Sequence, residues 1–347
     1  MSKSLTVKYL DSSEFEEWDK FVDRSENGSI YSKSYFLEAL SQVYSAGYRI
    51  LAVYKNDELM GGVGIYFNKT RYGDKVHIPP LLYYNGLVIK EFPTKYPSVL
   101  TYKQLDIVNA IIDELEGGNY ASVDLSSRYS FQDLRAFAWR GWKIWPRYTY
   151  VVPISDLNQQ WNYVEQNVRR LINRCESENM SIVIDDDIET FIQLYQGTYQ
   201  RKGLTSYINR DRFLKVYQTL KKHDACQIYY VSLPNGQRIA TQVVLMTEHP
   251  VTHTWMAGSD PEFLKTGASA FLRWKVFEDL NRRGYAFNDL TDATIASVAK
   301  FKSQFGGNLE QSFVVYKVMS ARLKLHNKFK SVLSRPIKFL QTRLERD

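Results

Sequence analysis

The chain has 347 residues but only two cysteines, Cys175 and Cys226, and neither stands in a CxxC pair or beside a histidine. That argues against a disulfide framework and a structural zinc site, and it suits a reducing compartment. Histidine is almost as scarce, with five residues scattered along the chain, so no Ser–His–Asp arrangement can be read. No apolar run approaches the ~18–20 residues that cross a bilayer. The opening stretch, MSKSLTVKYLDSSEFEEW, lacks the apolar core of a signal peptide. These absences lead to the expectation of a cytoplasmic protein that uses no metal. A broad excess of one charge is also missing. The net charge of +7 resides almost wholly in residues 320–347, which hold eight Lys/Arg against two acids and leave 37 basic and 36 acidic residues elsewhere. A surface that coats nucleic acid along its whole length is thereby excluded, and attraction to a polyanion would be concentrated in that tail.

What the chain does have is a repeat. YASVDLS (120–126) returns as YAFNDLT (285–291), 165 residues later, with four of seven positions identical. Each copy follows an amphipathic helical stretch and precedes a helix and another strand, YTYVV (148–152) or SFVVYKV (312–318). Upstream, ILAVYKNDELMGGVGIYF (50–67) and IYYVSLPNGQRIATQVVLM (228–246) both read strand–turn–strand, turning at Asn56-Asp57 and Asn235-Gly236. A period of about half the chain is too long for a solenoid. It predicts tandem duplication of one α/β unit, with helices on a sheet, in halves 1–153 and 154–319. A basic amphipathic helical tail, 320–347, follows. In the tail Leu325, Phe329, Leu333, Ile337, Leu340 and Leu344 recur near helical spacing, divided by Pro336. This pattern fits an interfacial helix on anionic lipid at the inner membrane face, contact with tRNA, or a stripe packed on the protein itself.

Three local readings matter later. One helix is predicted over 156–178, with Trp161, Val164, Val168, Leu171, Ile172 and Cys175 on its apolar face and Arg169, Arg170 and Arg174 away from it. NKTRYGDKVHIPP (68–80) reads as a loop, and LLYYNGLVI (81–89) as an extended run.

Candidate chemistry concentrates in the second half. In GSDPEFLKTGAS (258–269), Gly267, Ala268 and Ser269 stand where a helix begins, a place for phosphate or another anion, or a plain strand–helix turn. In NDLTDATIASVAKFKSQFGG (288–307), Asp289 ends a strand, Asp292 follows in the loop, and Lys302 sits on the next helix. Asp289 or Asp292 is the candidate base, and Lys302, taken as an exposed charge lining a cleft, is the clamp for an oxyanion or phosphate. Asp124 is the first-half counterpart of Asp289, and an Asp in this place also serves simply to cap the next helix. His253 and Trp255 share one face of a strand, with Trp255 a candidate substrate contact.

Taken in order, GSIYSKSYFLEAL (28–40), MGGVGIYF (60–67), NVRRLINRCESENMSI (167–182), WMAGSDPEFLKTGASAFLRW (255–274) and FKSQFGG (301–307) resemble the Fem family, tandem-domain relatives of the GNAT acyltransferases. The resemblance covers about residues 10–318. It implies two GNAT-like domains that move an acyl or aminoacyl group onto an amine of a cell-envelope acceptor, such as a peptidoglycan precursor, a lipid-linked amine or an amino sugar. Acyl-CoA or aminoacyl-tRNA would be the co-substrate. It further implies that Lys302 faces the substrate and that Arg201 and Tyr207 contact the acceptor. Two departures leave the donor open. The CoA-binding pattern [QR]xxGx[GA] appears here as Leu264-Lys265-Thr266-Gly267-Ala268-Ser269, and the Fem coiled-coil arm is missing. A non-catalytic binding module that kept the fold, and an RNA- or membrane-associated protein using its basic tail, are the competing readings.

Overall fold

A computed structural model describes residues 5–333 apart from 202, 204 and 207, with side chains described as far as Lys328. Tyr207 and the tail beyond 333 lie outside the described residues. The first half runs β1 (Leu5–Tyr9), α1 (Phe15–Arg24), α2 (Ser34–Tyr44), β2 (Gly47–Lys55), β3 (Glu58–Thr70), β4 (Gly73–His77), a short β5 (Val88–Ile89), α3 (Pro97–Gly117), β6 (Tyr120–Ser127), α4 (Arg135–Trp139) and β7 (Lys143–Pro153). The second runs α5 (Leu157–Tyr163), α6 (Gln166–Ser177), β8 (Ser181–Ile184), α7 (Ile188–Arg201), α8 (Arg210–Lys221), β9 (Cys226–Ser232), β10 (Arg238–Leu245), β11 (Val251–Ser259), α9 (Ala268–Arg282), β12 (Phe287–Asp289), α10 (Ala296–Ser303), β13 (Asn308–Val318) and α11 (Ala321–Leu333).

The strands form one mixed sheet of 13, ordered β1-β2-β3-β4-β6-β13-β7-β12-β11-β10-β9-β8, with β5 paired to β3 off this path. Read inward from its two edges, the sheet says the same thing twice. β1, β2, β3 and β4 are successively antiparallel, β4 is parallel to β6, and β6 is antiparallel to β13. β8, β9, β10 and β11 are successively antiparallel, β11 is parallel to β12, and β12 is antiparallel to β7. The repeated YAxxDL segments are thus the equivalent strands β6 and β12. The last strand of each run is exchanged. β7, from the first half of the chain, completes the second run, and β13 completes the first; the two pair with each other at the centre.

Helices cover both faces of the sheet, and small residues set how closely they approach. In MGGVGIYF of β3, a Cβ on Gly62 would lie 2.7 Å from the Trp18 ring of α1, and one on Gly64 2.7 Å from Leu37 of α2. On the opposite face, a Cβ on Gly61 would lie 2.9 Å from Ile107 of α3. Strand alternation therefore sends successive glycines under different helices. Trp18 is fully buried, and its indole N–H donates to the Ser32 carbonyl at 2.7 Å. Burial of a side chain of that size contributes upwards of ~2 kcal/mol. One buried cluster joins the halves: Trp18, Phe36 and Leu40 of the first share it with Phe213, Tyr217 and Trp255 of the second. α2 packs on α8, and the Tyr35 and His223 rings stack at 4.1 Å across the join.

Three sequence expectations are corrected. The segment 68–80 is not all loop: Gly73–His77 is β4, the strand parallel to β6. Of 81–89, only Val88–Ile89 pairs as strand. The helix expected over 156–178 breaks at Val164, which is buried and extended. The cause is the FKSQFGG turn. The Glu165 amide donates to the Gln304 carbonyl at 2.9 Å, the Gln160 side chain to the Phe305 carbonyl at 2.7 Å, and left-handed Gly306 lies against Tyr163. That motif docks the α5–α6 elbow.

Candidate functional site

β12 ends at Asp289, which pairs with His253 of β11 on one side and Val151 of β7 on the other. The two parallel strands then part. The chain beyond Asp289 follows β7, through Leu290 N–H to Tyr150 (2.8 Å) and Ala293 N–H to Tyr148 (2.9 Å), while β11 continues to Ser259. The register with β10 shifts at this level, leaving Trp255 as an extra residue in β11. A bulge of this kind re-aims the backbone groups around it. The result is a notch in the middle of the sheet.

Asp289 sits at the base of the notch, fully buried. It accepts hydrogen bonds from Tyr84 (2.9 Å), Thr149 (2.6 Å) and the Thr291 amide (2.7 Å), and His253 Nδ1 lies 3.4 Å away. The donors come from a first-half loop, from β7 and from the second half itself. Burial alone would raise this carboxyl. His253, Thr149 and the Thr291 amide outweigh burial and hold it below the usual carboxylate range. Burial, reinforced by Asp289, keeps the Tyr84 phenol protonated and donating. Burial lowers His253, against the pull of Asp289. Neither nitrogen of His253 has a well-formed hydrogen bond among the described residues, nor does the Tyr31 hydroxyl, whose ring meets His253 edge-on at 5.1 Å.

Above this cluster, side chains of both halves reach the surface. Tyr83 is half-buried, and its environment includes Thr291, Asp292, Tyr199 and Arg147. Arg147 and Thr149 of β7 stand opposite Ser312 and Glu310 of β13. Glu310 is half-buried, and burial together with the Asp289 charge raises its pKa. A carboxylate poised to take up a proton next to one held ionised is the environmental contrast that separates acid from base roles.

The sequence-named residues divide. Asp289 and His253 meet at the base of the notch. Asp292 flanks it, with its carboxylate accepting from the Thr294 amide at 3.0 Å. Lys302 is buried rather than a solvated charge. Its ammonium donates to the carbonyls of Thr291 and, at 2.6 Å, Asp292. Those two residues hold left-handed backbone (φ 51 and 37), a costly conformation away from glycine, so Lys302 secures the loop rising from Asp289. Trp255 is buried, and its indole N–H donates to the Leu81 carbonyl at 2.9 Å, which ties the first-half loop to β11. Arg201, exposed at the end of α7, lies 3.4 Å from the Ser259 carbonyl. The residues that sequence reasoning missed are Tyr31, Tyr84, Arg147, Thr149 and Glu310.

Gly267 is left-handed (φ 94) and caps α9, as a strand–helix turn requires. The loop is nevertheless not an open phosphate cradle. The Lys265 and Thr266 carbonyls are turned onto Arg174, the Ala268 amide bonds the Thr266 hydroxyl at 3.2 Å, and Leu171 packs where a Cβ on Gly267 would sit. Among the described residues no group of three or more His, Cys, Asp or Glu is placed to hold a metal, and no helix is long and apolar enough to cross a membrane.

Residues 163–302, which include His253 and Asp289 but not Tyr84, Thr149 or Glu310, match the acetyltransferase (GNAT) domain family. The fold as a whole is that of a crystal structure of FemX, at 13% identity with TM-score 0.73, covering 93% of this chain and 99% of that one. The chain is similar in fold to FemX, and its residues 163–302 are similar to the GNAT family. Other solved structures are similar in fold at lower scores. One is the C-terminal domain of a putative lysylphosphatidylglycerol synthetase from Agrobacterium fabrum (11% identity, TM-score 0.56, 93% and 98% covered). Another is a tandem GNAT protein from the clavulanic acid biosynthesis pathway (10% identity, TM-score 0.51, 90% and 98% covered). Comparison of the sequence with curated proteins returns no match. The family match falls on the half of the chain in which β11 and β12 part.

Proposed function

We propose that the protein is an aminoacyl- or acyltransferase that acylates an amine on a cell-envelope precursor or amino sugar, held at the seam between the halves above Asp289. The observation that carries this reading is the pairing of Glu310, whose proton affinity is raised, with Asp289, which is held ionised, at the mouth of a split parallel strand pair. Attack on an ester or thioester carbonyl needs a neutral amine. Glu310, directly or through one water, takes its proton as the bond from nitrogen to the carbonyl carbon forms, and returns it to the donor's oxygen or sulfur as the ester or thioester bond breaks. Asp289 does not titrate in this cycle; its charge fixes Tyr84, Thr149 and the His253 ring. The bulged stretch of β11 supplies backbone N–H groups for the oxyanion. Lys302 holds the loop that walls the notch, and Arg147 and Arg201 are the cations within reach of an anionic acceptor.

The α9 loop, with its carbonyls committed to Arg174 and Leu171 packed on Gly267, favours an aminoacyl ester over acyl-CoA as donor. The FemX and lysylphosphatidylglycerol synthetase structures, similar in fold, are consistent with that choice. The test is transfer from labelled aminoacyl-tRNA and from acetyl-CoA to UDP-linked muropeptides and amino sugars, followed by mass spectrometry. The expected result is an aminoacylated product that falls by ~10²-fold or more in Glu310→Gln with an unchanged melting temperature. Binding of neither donor, or full turnover in Glu310→Gln, would defeat the reading.

A further inference from the structure

At the far edge of the first half, the turn between β3 and β4 and the start of α11 enclose a hollow of about 800 Å3. It shares no residue with the seam. Four cations line it from three separate segments: Arg49 of β2, Lys69 and Arg71 at the β3–β4 turn, and Arg322 of α11. The one acid in the lining, Asp74, pairs with Arg49 at 3.2 Å. Lys69, Arg71 and Arg322 have no carboxylate partner among the described residues. Aromatic rings support two of the four cations. The Arg49 guanidinium lies 4.1 Å from the Phe67 ring centroid and Arg71 4.7 Å from that of Tyr72, while the Tyr72 ring packs 5.6 Å from His326 of α11. The hollow also receives Ser320 and the start of α11 at Ala321 and Arg322; the Ser320 amide donates to the Ala121 carbonyl at 3.2 Å, its hydroxyl caps the Leu323 amide at 3.3 Å, and the positive end of the helix lies at the hollow.

We propose that this hollow is a binding site for a phosphate ester. Four cations with one acid among them repel one another, so a cluster with aromatic supports around a cavity large enough for a headgroup is built for an anion. Arginine, with its planar fork of donors, matches phosphate oxygens in particular. α11 adds a reason to look toward lipid. Leu325 is 56% exposed beside Arg322, Lys324 and Lys328, and the sequence continues with Arg335, Lys338, Arg343 and Arg346 interleaved with Ile337, Leu340 and Leu344. A headgroup in the hollow would seat α11 against a membrane surface. A soluble phosphate ester would use the same donors.

The experiment uses the full chain in two arms. In the first, co-sedimentation is measured with phosphatidylglycerol-containing vesicles and with purely zwitterionic vesicles, at low and moderate salt. In the second, calorimetry measures binding of glycerol 3-phosphate and of inorganic pyrophosphate. Arg71→Glu and Arg322→Glu are compared with the wild type and with Lys215→Glu, which moves the same charge on the exposed face of α8. Vesicle binding that is selective for the anionic lipid, weakens with salt, and falls about tenfold or more in the two hollow variants but not in Lys215→Glu supports the site and names lipid as the source. The same pattern in the calorimetric arm alone supports the site and names a soluble ester. No binding in either arm, or equal loss in Lys215→Glu, overturns the proposal. Because the hollow is remote from the seam, either outcome is independent of the transfer assay.

Discussion

The two parallel strand pairs of this molecule began alike and have been treated in opposite ways. In the second half, β11 and β12 part after His253 and Asp289 and leave a notch. In the first, β4 and β6 part after Lys75 and Ser122, but the chain returns to fill the gap. The Asn85 amide donates to the Ser126 carbonyl at 3.0 Å, and the Ser126 amide to the Asn85 side chain at 2.8 Å. The Ser126 hydroxyl reaches the Tyr83 carbonyl at 2.8 Å, and Gly86 lies flat against Ser127. Residues 78–96 form the filling loop, where the second half has only 260–267. The same loop carries Tyr83 and Tyr84 to the other half's notch. One copy has given up its own opening to furnish a wall for its twin's, which is how duplication lets half a protein become scaffold.

The sharpest way to break that comparison is at the paired aspartates. Asp289→Ala leaves the hydroxyls of Tyr84 and Thr149 buried without their acceptor and should cost about 3–5 kcal/mol, seen as a lowered urea midpoint, along with loss of transfer. Asp124 is half-buried, its carboxylate makes no hydrogen bond to a described residue, and burial raises its pKa with Lys75 in partial opposition. Asp124→Ala should cost about 1 kcal/mol or less. Equal losses would mean that the two positions are not differentiated.

Next in size is the plug. A Cβ on Gly86 would stand 2.4 Å from Ser127 Cα, a backbone atom that cannot step aside. Gly86→Ala should therefore destabilise by about 1–3 kcal/mol and lower transfer as well, because displacing the loop displaces Tyr84. Full activity with lost stability would show that the wall is not needed.

The smallest expected effect concerns pH. His249, just before β11, is buried against Arg128, whose Nη1 is 3.2 Å from its Nε2. Burial first, then Arg128, lowers its pKa to about 3. A histidine with a folded value below its unfolded one takes up protons preferentially when unfolded, so its contribution is whole above about 6.5 and is lost as pH falls toward 3. Between pH 7.5 and pH 5 the urea midpoint should drop by the equivalent of ~1–2 kcal/mol, and His249→Phe should flatten that slope. An unchanged slope would remove His249 from the account.

The duplication and the α/β layers were legible because the same apolar alternation and the same YAxxDL residues recur, and periodicity is a local property. Asp289 was legible for the same reason. Glu310 was not. In NLEQSF it reads as one polar residue among others on a half-exposed strand, and it faces Thr149 only because β13 crosses to lie between β6 and β7, a pairing fixed by distant chain. Lys302 was found but misplaced: its helix position says nothing of the two left-handed residues whose carbonyls draw the ammonium inward. The plug was invisible because a loop's path is set by what it lands on. Two strand patterns that part company look the same in sequence whether the gap is filled or left open.

The exchanged last strands have a consequence for how this protein comes into being. As synthesis proceeds, β6 emerges with one edge unpaired and must wait for β13, nearly two hundred residues later, while β7 is set aside for a sheet not yet made. The first half cannot finish before the second, and neither can be released from the other without tearing strands from the middle of a sheet. A long-lived exposed edge is an invitation to wrong partners, so the nascent chain is at its most vulnerable just when most of it has already been made. Once closed, the seam cannot swing like a hinge, and substrates must come to a fixed opening.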